Sequence, residues 1–235
     1  MNEKVFITGA SSGIGAALAT EYAKRGATLG ISARRSEKLQ SIAQQCKESG
    51  AADVFTYTLD VTDQDSSADT AKEFIAAANG IDIVIANAGV AYSDKISSGE
   101  ATQINQVFST NVLGVTNSII PFVPTMKENS SGKIVIISSI ASFRPIAFHG
   151  GYAASKSAVR MLADSWRMAL RKYKIQITAI CPGFIVSEMT DENKFPMPFL
   201  LETEDAARKM VKAIDNGKKT YILPWQVKMI LYATR

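Results

Sequence analysis

Short apolar runs of strand length alternate with longer segments of helical periodicity along nearly the whole chain. The apolar runs lie at residues 5–7, 28–32, 54–59, 81–86, 133–138, 176–181 and 221–223. The helical segments lie at 13–25, 36–49, 66–79, 102–128, 151–173 and 203–216, with a bend expected near Pro121 and Pro124. Runs that are apolar throughout are typical of parallel strands covered on both faces. The sequence therefore predicts an α/β, doubly wound Rossmann fold in a single domain, residues 1–235, with a seven-stranded, mostly parallel sheet.

The charge and composition exclude several classes of protein. The 235 residues include 26 Lys and Arg against 22 Asp and Glu, and 46% are hydrophobic, as in an ordinary globular domain. The basic residues fall in separated doublets with acids between them, whereas a nucleic-acid surface more often carries a clustered stripe. One histidine, His149, and two distant cysteines, Cys46 and Cys181, disfavour a zinc site and a disulfide framework. We expect no metal site and no nucleic-acid partner.

The two ends of the chain bear on its location. The N-terminus does not have the pattern of a secretory signal, and no apolar run reaches the roughly 20 residues that span a bilayer, so we expect a cytoplasmic protein. The C-terminal apolar segment, residues 225–235, could dock on the body of the protein, pack between subunits or touch a membrane as an amphipathic element. Docking or subunit packing is favoured over membrane contact.

A glycine-rich turn, Thr8-Gly9-Ala10-Ser11-Ser12-Gly13-Ile14-Gly15, joins the first apolar run to the first helical segment. Its glycines permit a tight turn and the close approach of a pyrophosphate to backbone N–H groups at a helix N-terminus. The candidate cofactor contacts are Gly9, Ser11, Ser12, Gly13, Ile14 and Gly15. The same turn matches G-x-S-x-G, the nucleophile elbow of an α/β-hydrolase. Only His149 could be its base, and His149 lies beside a different motif, so a hydrolase is the weakest interpretation.

Two arginines after the second apolar run bear on the choice of dinucleotide. NAD sites tend to place an acidic residue there, but this chain has Arg34 and Arg35, which can pair with a 2′-phosphate or lie against adenine. The sequence thus favours NADP (NADPH) as the cofactor, with NAD possible. Both arginines could instead be solvated loop residues.

Tyr152-Ala153-Ala154-Ser155-Lys156 places a phenol and an ammonium four residues apart on one helix face. An ordinary tyrosine has a pKa near 10, and a neighbouring lysine cation favours the phenolate. With the glycine-rich turn, this motif resembles the short-chain dehydrogenase/reductase family over roughly residues 4 to 190. The resemblance also includes Asp60-Val61, Asn87-Ala88-Gly89, Asn111, Ser138-Ser139 and Pro182-Gly183. Ser12 stands where some NADP-dependent members have a basic residue.

The resemblance implies hydride transfer between nicotinamide and a carbonyl/alcohol pair. Tyr152 would be the general acid or base, and Ser139, chosen over Ser138 and Ser142, would bond the carbonyl oxygen. Lys156 would hold the nicotinamide ribose and lower the pKa of Tyr152, and Asn111 would position a water. The remaining contacts implied are Asp60 and Val61 at adenine, Asn87, Ala88 and Gly89 at the ribose, and Pro182, Gly183, Ile185 and Ser187 at the nicotinamide.

The segment after Pro182-Gly183, residues 184–202, is the expected substrate loop. Its apolar side chains are Phe184, Met189, Phe195, Met197, Phe199, Leu200 and Leu201, and Phe143, Ile146 and Phe148 approach from the loop before Tyr152. They predict a lid over a small apolar or aromatic carbonyl or alcohol substrate, although they could simply cover the core.

Assembly and alternative activities are also part of the resemblance. It implies a homodimer or homotetramer, often built on the helical segments 102–128 and 151–173. An isomerase or dehydratase could use the same proton donor. The alternative from another class is a non-catalytic dinucleotide-binding sensor or scaffold protein, which would have no need of the phenol.

Overall fold

The computed structural model describes residues 2–191 and 196–233. In these ranges seven strands form one sheet, and every neighbouring pair is parallel. The strands are β1 Lys4–Thr8, β2 Thr28–Ala33, β3 Asp53–Thr58, β4 Ile83–Ala86, β5 Gly132–Ile137, β6 Ile175–Pro182 and β7 Thr220–Leu223. Their order across the sheet is β3-β2-β1-β4-β5-β6-β7. The predicted single Rossmann-like domain is confirmed, and the sheet is wholly parallel.

The helices follow the strands in the predicted alternation. They are α1 Gly13–Ala23, α2 Ser36–Glu48, α3 Gln64–Ala78, α4 Thr102–Phe108, α5 Gly114–Ile119, α6 Val123–Glu128, α7 Gly150–Leu170, α8 Glu188–Asp191, α9 Thr203–Asp215 and α10 Trp225–Ala233. A π-helical turn, Ser109–Leu113, joins α4 to α5, and a 3₁₀ turn, Ile120–Phe122, joins α5 to α6. The change to 3₁₀ geometry falls at Pro121, whose missing N–H interrupts the α-helical hydrogen bonds.

The two faces of the sheet carry two separate cores because successive side chains of a strand point to opposite faces. Val5 and Ile7 of β1 pack in the cluster that includes α1, α2 and α9. Phe6, between them, packs on the other face, against α3, α5 and the 3₁₀ turn. Its ring centroid lies 5.3 Å from that of Phe74 and 5.0 Å from that of Phe122. This two-sided burial explains why residues 5–7 of β1 are all apolar.

The helical run Thr102–Glu128 corrects one expectation from the sequence. Its 27 residues are long and apolar enough for a membrane span by length and composition, contrary to the expectation that no stretch would be. In the fold, however, Val115, Ile119 and Met126 of this run are buried against the sheet. A core helix of a globular protein meets the same criterion, so packing accounts for the apolar character of this run.

The site lies where the strand order reverses, because successive strands are added to one side of β1 up to β3 and to its other side from β4 onwards. Strand β1 pairs with β2 on one side and with β4 on the other. The loops after β1 and β4 therefore diverge to opposite faces and leave a crevice at the carboxyl edge, where ligands bind in open α/β sheets. The glycine-rich turn follows β1, and Asn87 follows β4.

Candidate active site

A cavity of about 570 Å³ opens at the carboxyl edge of the sheet. It brings together residues from seven separate parts of the chain. Its lining includes Gly9, Ser11, Ser12, Gly13, Ile14, Arg34, Arg35, Asp60, Val61, Asn87, Ala88, Gly89, Ser139, Tyr152, Lys156, Pro182, Gly183, Ile185 and Ser187. Of the residues proposed for the site, Gly15 and Asn111 lie behind this surface instead.

The glycine-rich turn is held tightly against the loop after β4. Asn87 Nδ2 donates to the carbonyl oxygens of Thr8 and Gly9 at 3.0 and 3.1 Å. Gly9 has φ +67°, and a Cβ there would lie 2.7 Å from the Ala88 backbone. A Cβ on Gly15 would lie 2.4 Å from the Gly9 carbonyl oxygen. Glycine is therefore required at both positions by close backbone approach.

The turn can hold a dinucleotide pyrophosphate. Helix α1 begins at Gly13, and the side chain of its N-cap residue, Ser12, forms no capping hydrogen bond. The N–H groups of a first helical turn have no intrahelical partners and attract anions. They lie beside the cavity next to the compact Gly9 backbone, so the residues present fit the phosphates of a nicotinamide cofactor.

The two arginines after β2 have different partners. Arg34 lies 3.8 Å from Asp60 in a largely exposed ion pair. Arg35 reaches back to the glycine-rich turn, where Nη2 donates to the Ser11 and Ser12 hydroxyls at 3.0 and 2.8 Å. The Ser11 hydroxyl, the nucleophile of the hydrolase alternative, thus contacts a guanidinium that cannot act as a base. This contact argues against a nucleophile elbow.

Arg35 also faces a carboxylate that the sequence did not point to. Glu188, the first residue of α8, accepts from Arg35 Nη1 at 2.7 Å and from Lys38 Nζ at 2.6 Å. These hydrogen bonds, that of Lys38 first, lower the pKa of Glu188 to about 2. Lys38 lies one helical turn beyond Arg35. Its contact with Glu188, which is 150 residues away in the sequence, depends on the tertiary fold.

Asp60 and Val61 line the side of the cavity expected for adenine. Asp60 Oδ1 accepts from the Thr62 N–H at 3.0 Å and from the Thr62 hydroxyl at 2.8 Å, the pattern of an Asx turn. Asp60 is therefore a turn residue whose second oxygen faces Arg34. Val61 is buried, and its side chain packs directly on Gly114. A Cβ on Gly114 would lie 2.5 Å from Val61 Cγ2.

Ser139 and Tyr152 meet in the deeper part of the cavity. The Ser139 side chain hydrogen-bonds the Tyr152 hydroxyl and accepts from the Ala141 N–H at 3.1 Å. Part of the tyrosine is accessible from the cavity, but burial raises its pKa above the usual value, and the hydrogen bond to Ser139 opposes that rise. The hydrogen bond to Ser139 thus favours the phenolate, and the expected effect of Lys156 on the pKa of Tyr152 stays a prediction. The buried phenol keeps its proton and can donate it.

Ser138 has a supporting role that the sequence did not reveal. Its hydroxyl donates to the Lys156 carbonyl oxygen at 2.8 Å and ties the end of β5 to α7. Alternation along the extended chain explains why one serine faces the helix backbone and the next faces Tyr152. Ser142, the third candidate, lies in the following 3₁₀ turn and is buried outside the cavity lining described above.

Lys156 is buried one helical turn after Tyr152. Its ammonium donates to the Ile137 carbonyl oxygen at 3.0 Å and lies 5.8 Å from the centre of the Tyr152 ring. Burial lowers its pKa to about 8, and the Cys181 thiol opposes that shift slightly. A Cβ on Gly89 would come within 3.3 Å of this ammonium and 3.2 Å of Asn111 Oδ1. Gly89 therefore allows the backbone to pass between them and the cavity.

Asn111 sits in the π-helical turn between α4 and α5, fully buried. Its amide closes a ring with the Val90 backbone, accepting from the N–H at 2.8 Å and donating to the carbonyl at 2.9 Å. It also donates to the Ser155 hydroxyl at 3.1 Å. In this structure Asn111 connects three elements around Lys156, and its role in positioning a water stays a prediction.

The expected substrate loop contributes only part of its apolar residues to the cavity. Phe184 and Met189 line it, as do Ile146 and His149 from the loop before Tyr152. Phe199 is 43% exposed, and Phe148 is 71% exposed. Phe195 falls outside the described residues. The lid prediction therefore rests on a smaller set than the sequence indicated.

Comparison with known proteins identifies the family of this chain. The family model for short chain dehydrogenases matches residues 3–196. The chain belongs to the short-chain dehydrogenase/reductase family. An uncharacterized oxidoreductase of Myxococcus xanthus is 38% identical over 221 residues, which are 94% of this chain and 87% of that protein. The resemblance seen in the sequence is confirmed, and the protein is an oxidoreductase of this family.

Two solved structures have a fold similar to that of this chain. An alcohol dehydrogenase of the archaeon Thermococcus sibiricus, complexed with 5-hydroxy-NADP, has a TM-score of 0.84 at 26% identity and covers 95% of this chain and 96% of its own. A short-chain dehydrogenase/reductase of Burkholderia phymatum in complex with NAD has a TM-score of 0.90 at 22% identity, covering 98% of this chain and 92% of its own. The second likeness shows the fold alone.

Proposed function

We propose that this chain is an NADP-preferring carbonyl reductase or alcohol dehydrogenase in which Tyr152 is the general acid and base. The observation that supports this most directly is the hydrogen-bonded pair of Ser139 and Tyr152, which lies in the same cavity as the glycine-rich turn. A sensor or scaffold protein would need the turn but neither the phenol nor the buried lysine beside it.

The protein's own groups suit carbonyl reduction. When bound, the nicotinamide ring supplies or accepts the hydride. Tyr152, which burial keeps protonated, donates its proton to the substrate oxygen as negative charge develops there. Ser139 stabilises that charge by a hydrogen bond, and Lys156 holds a positive charge nearby. In the oxidative direction the same proton returns to the phenolate oxygen of Tyr152.

The cofactor preference rests on the cations at the mouth of the cavity. Arg34, Arg35 and Lys38 bring three positive charges to the end of β2 and the start of α2. Positions 31–35, which are the end of β2 and the two arginines, hold no acidic residue that could bind the ribose 2′-hydroxyl of NAD. These charges favour a 2′-phosphate.

The substrate, assembly and location follow from less direct observations. Phe184, Met189 and Ile146 favour a small apolar or aromatic carbonyl or alcohol. Exposed apolar side chains on the helices around residues 102–128 and 151–173, such as Leu113 at 57% and Met168 at 82%, support a homodimer or homotetramer. Val227 of α10 is buried, which supports docking of the C-terminal segment rather than membrane contact. We place the protein in the cytoplasm.

The test is consumption of NADPH and NADH, followed by absorbance, over a panel of aldehydes, ketones, diketones and quinones. NADPH should be consumed faster than NADH, and Tyr152→Phe should abolish turnover while still binding NADPH. Faster consumption of NADH would contradict the cofactor preference but not the reductase. Binding of NADPH without turnover across the panel would favour the sensor or scaffold alternative.

A further inference from the structure

One carboxylate occupies the cluster of donors at the mouth of the cavity. Glu188 Oε2 accepts from Arg35 Nη1 at 2.7 Å and from the Ser12 hydroxyl at 3.1 Å. Its other oxygen accepts from Lys38 Nζ at 2.6 Å. Donors from the glycine-rich turn, the β2–α2 loop and α2 thus converge on a single anion.

These donors suit a phosphate better than they suit a carboxylate. Arg35 and Lys38 carry two positive charges and Glu188 carries one negative charge, so this ion cluster has a net charge of +1. A phosphate monoester carries about −1.5 to −2 charges at pH 7 and three strong acceptor oxygens. It would neutralise both cations and could accept from the Ser12 hydroxyl as well.

Glu188 is held where another anion can displace it. The side chains of Glu188, Arg35 and Lys38 are 47%, 45% and 53% exposed. Ion pairs of such exposure contribute little to the stability of a fold, because water solvates the separated charges well. A second cavity of about 490 Å³ is lined by Glu188, Ser12 and Lys38 but not by Arg35, so the carboxylate has room to move away from Arg35.

We propose that Glu188 occupies the site of the adenosine 2′-phosphate and competes with it, and that Lys38 is a phosphate-binding residue together with Arg35. This inference rests on the NADP preference proposed above. Glu188 begins α8, directly after Ser187 in the expected substrate loop. Binding of a 2′-phosphorylated nucleotide therefore separates the start of this loop from α2, whereas binding of NADH leaves that contact in place. Glu188 sets how strongly the enzyme discriminates between the two cofactors.

The test measures the dissociation constants of NADPH and NADH by calorimetry in Glu188→Gln and Lys38→Gln. Glu188→Gln should raise the ratio of the NADH to the NADPH constant about three- to tenfold, because the cations lose their internal anion. Lys38→Gln should lower that ratio about fivefold. Asp191→Asn in α8 and Lys47→Gln in α2 make the same charge changes away from the cluster and should alter the ratio less than twofold. Adenosine 2′,5′-bisphosphate and adenosine 5′-monophosphate should give the same pattern.

The outcomes separate this inference from the proposed function. If the wild type prefers NADPH and Glu188→Gln does not raise the ratio, the competition is wrong and the cofactor preference stands. If the wild type prefers NADH but Glu188→Gln shifts the ratio towards NADPH, the competition is right and the preference is wrong. If the wild type prefers NADH and neither variant moves the ratio, both are wrong.

Discussion

The buried ammonium of Lys156 donates a hydrogen bond to the carbonyl oxygen of Ile137, at the end of strand β5, with an N–O distance of 3.0 Å. The contact joins helix α7 to the sheet beneath the cavity. It supplies one acceptor to the charged group, but burial destabilises the charge and lowers the pKa of Lys156 to about 8. The charge on this lysine therefore changes close to the working range of pH.

The pH dependence of kcat/KM for NADPH should follow the protonation of Lys156. Its ammonium is charged below about pH 8 and neutral above it, so kcat/KM for NADPH at saturating carbonyl should be constant near pH 6–7 and fall as the pH rises through about 8. One proton gives a limiting slope of about tenfold per pH unit. The measurement is the initial rate from pH 6 to 10 in buffers of constant ionic strength.

Two variants assign that pH dependence to the correct group. Tyr152→Phe lacks the phenol but keeps the ammonium, so its NADPH affinity should weaken over the same pH range. Lys156→Met should bind NADPH more weakly, with an affinity that does not change between pH 7 and 9. A transition near pH 10.5 in Tyr152→Phe would show that burial does not lower the pKa of Lys156.

Replacing each of the two adjacent serines should show which one takes part in catalysis. Ser139→Ala removes the hydroxyl that contacts Tyr152, so kcat should fall about 10²- to 10³-fold. It also leaves the Ala141 N–H without its acceptor and should cost about 0.5–2 kcal/mol of unfolding free energy. Ser138→Ala leaves the buried Lys156 carbonyl without its 2.8 Å donor and should cost about 1–2 kcal/mol of unfolding free energy. The folded fraction of Ser138→Ala should keep most of its turnover. The reverse pattern would assign the catalytic hydroxyl to Ser138.

The sequence predicts this fold well because the central strands, such as β1 and β4, are buried on both faces. Val5, Phe6 and Ile7 are all apolar, since their side chains enter two different cores. The motif residues were also predictable, because they lie at the carboxyl ends of strands or one helical turn apart. The contact between Lys38 and Glu188 was not predictable, because it joins exposed side chains 150 residues apart that share no periodicity. The π-helical turn around Asn111 likewise has no local signature in the sequence.

Two glycines test whether close backbone approach or conformational freedom matters in the phosphate-binding turn. In Gly15→Ala the added Cβ would lie 2.4 Å from the Gly9 carbonyl oxygen and 2.5 Å from Asn87 Nδ2, so the turn must open. The dissociation constant of NADPH should rise at least tenfold. Gly26→Ala is the matched control: its φ of +73° costs about 1 kcal/mol of stability, but its Cβ meets nothing nearer than 4.0 Å. Equal nucleotide affinities in the two variants would contradict this role of Gly15.

The apolar wall of the cavity should determine which carbonyl compounds are bound. Phe184 and Met189 line the cavity, and replacing both by alanine removes apolar contact without touching Ser139 or Tyr152. KM for aromatic ketones should rise about tenfold or more, because each lost side chain contributes roughly 1 kcal/mol of apolar burial in the complex. The dissociation constant of NADPH should change much less than this KM. Ile96→Ala, which removes a side chain that is 76% exposed, is the control for loss of apolar surface elsewhere. An unchanged KM across aromatic and aliphatic substrates would show that these two side chains only cover the core.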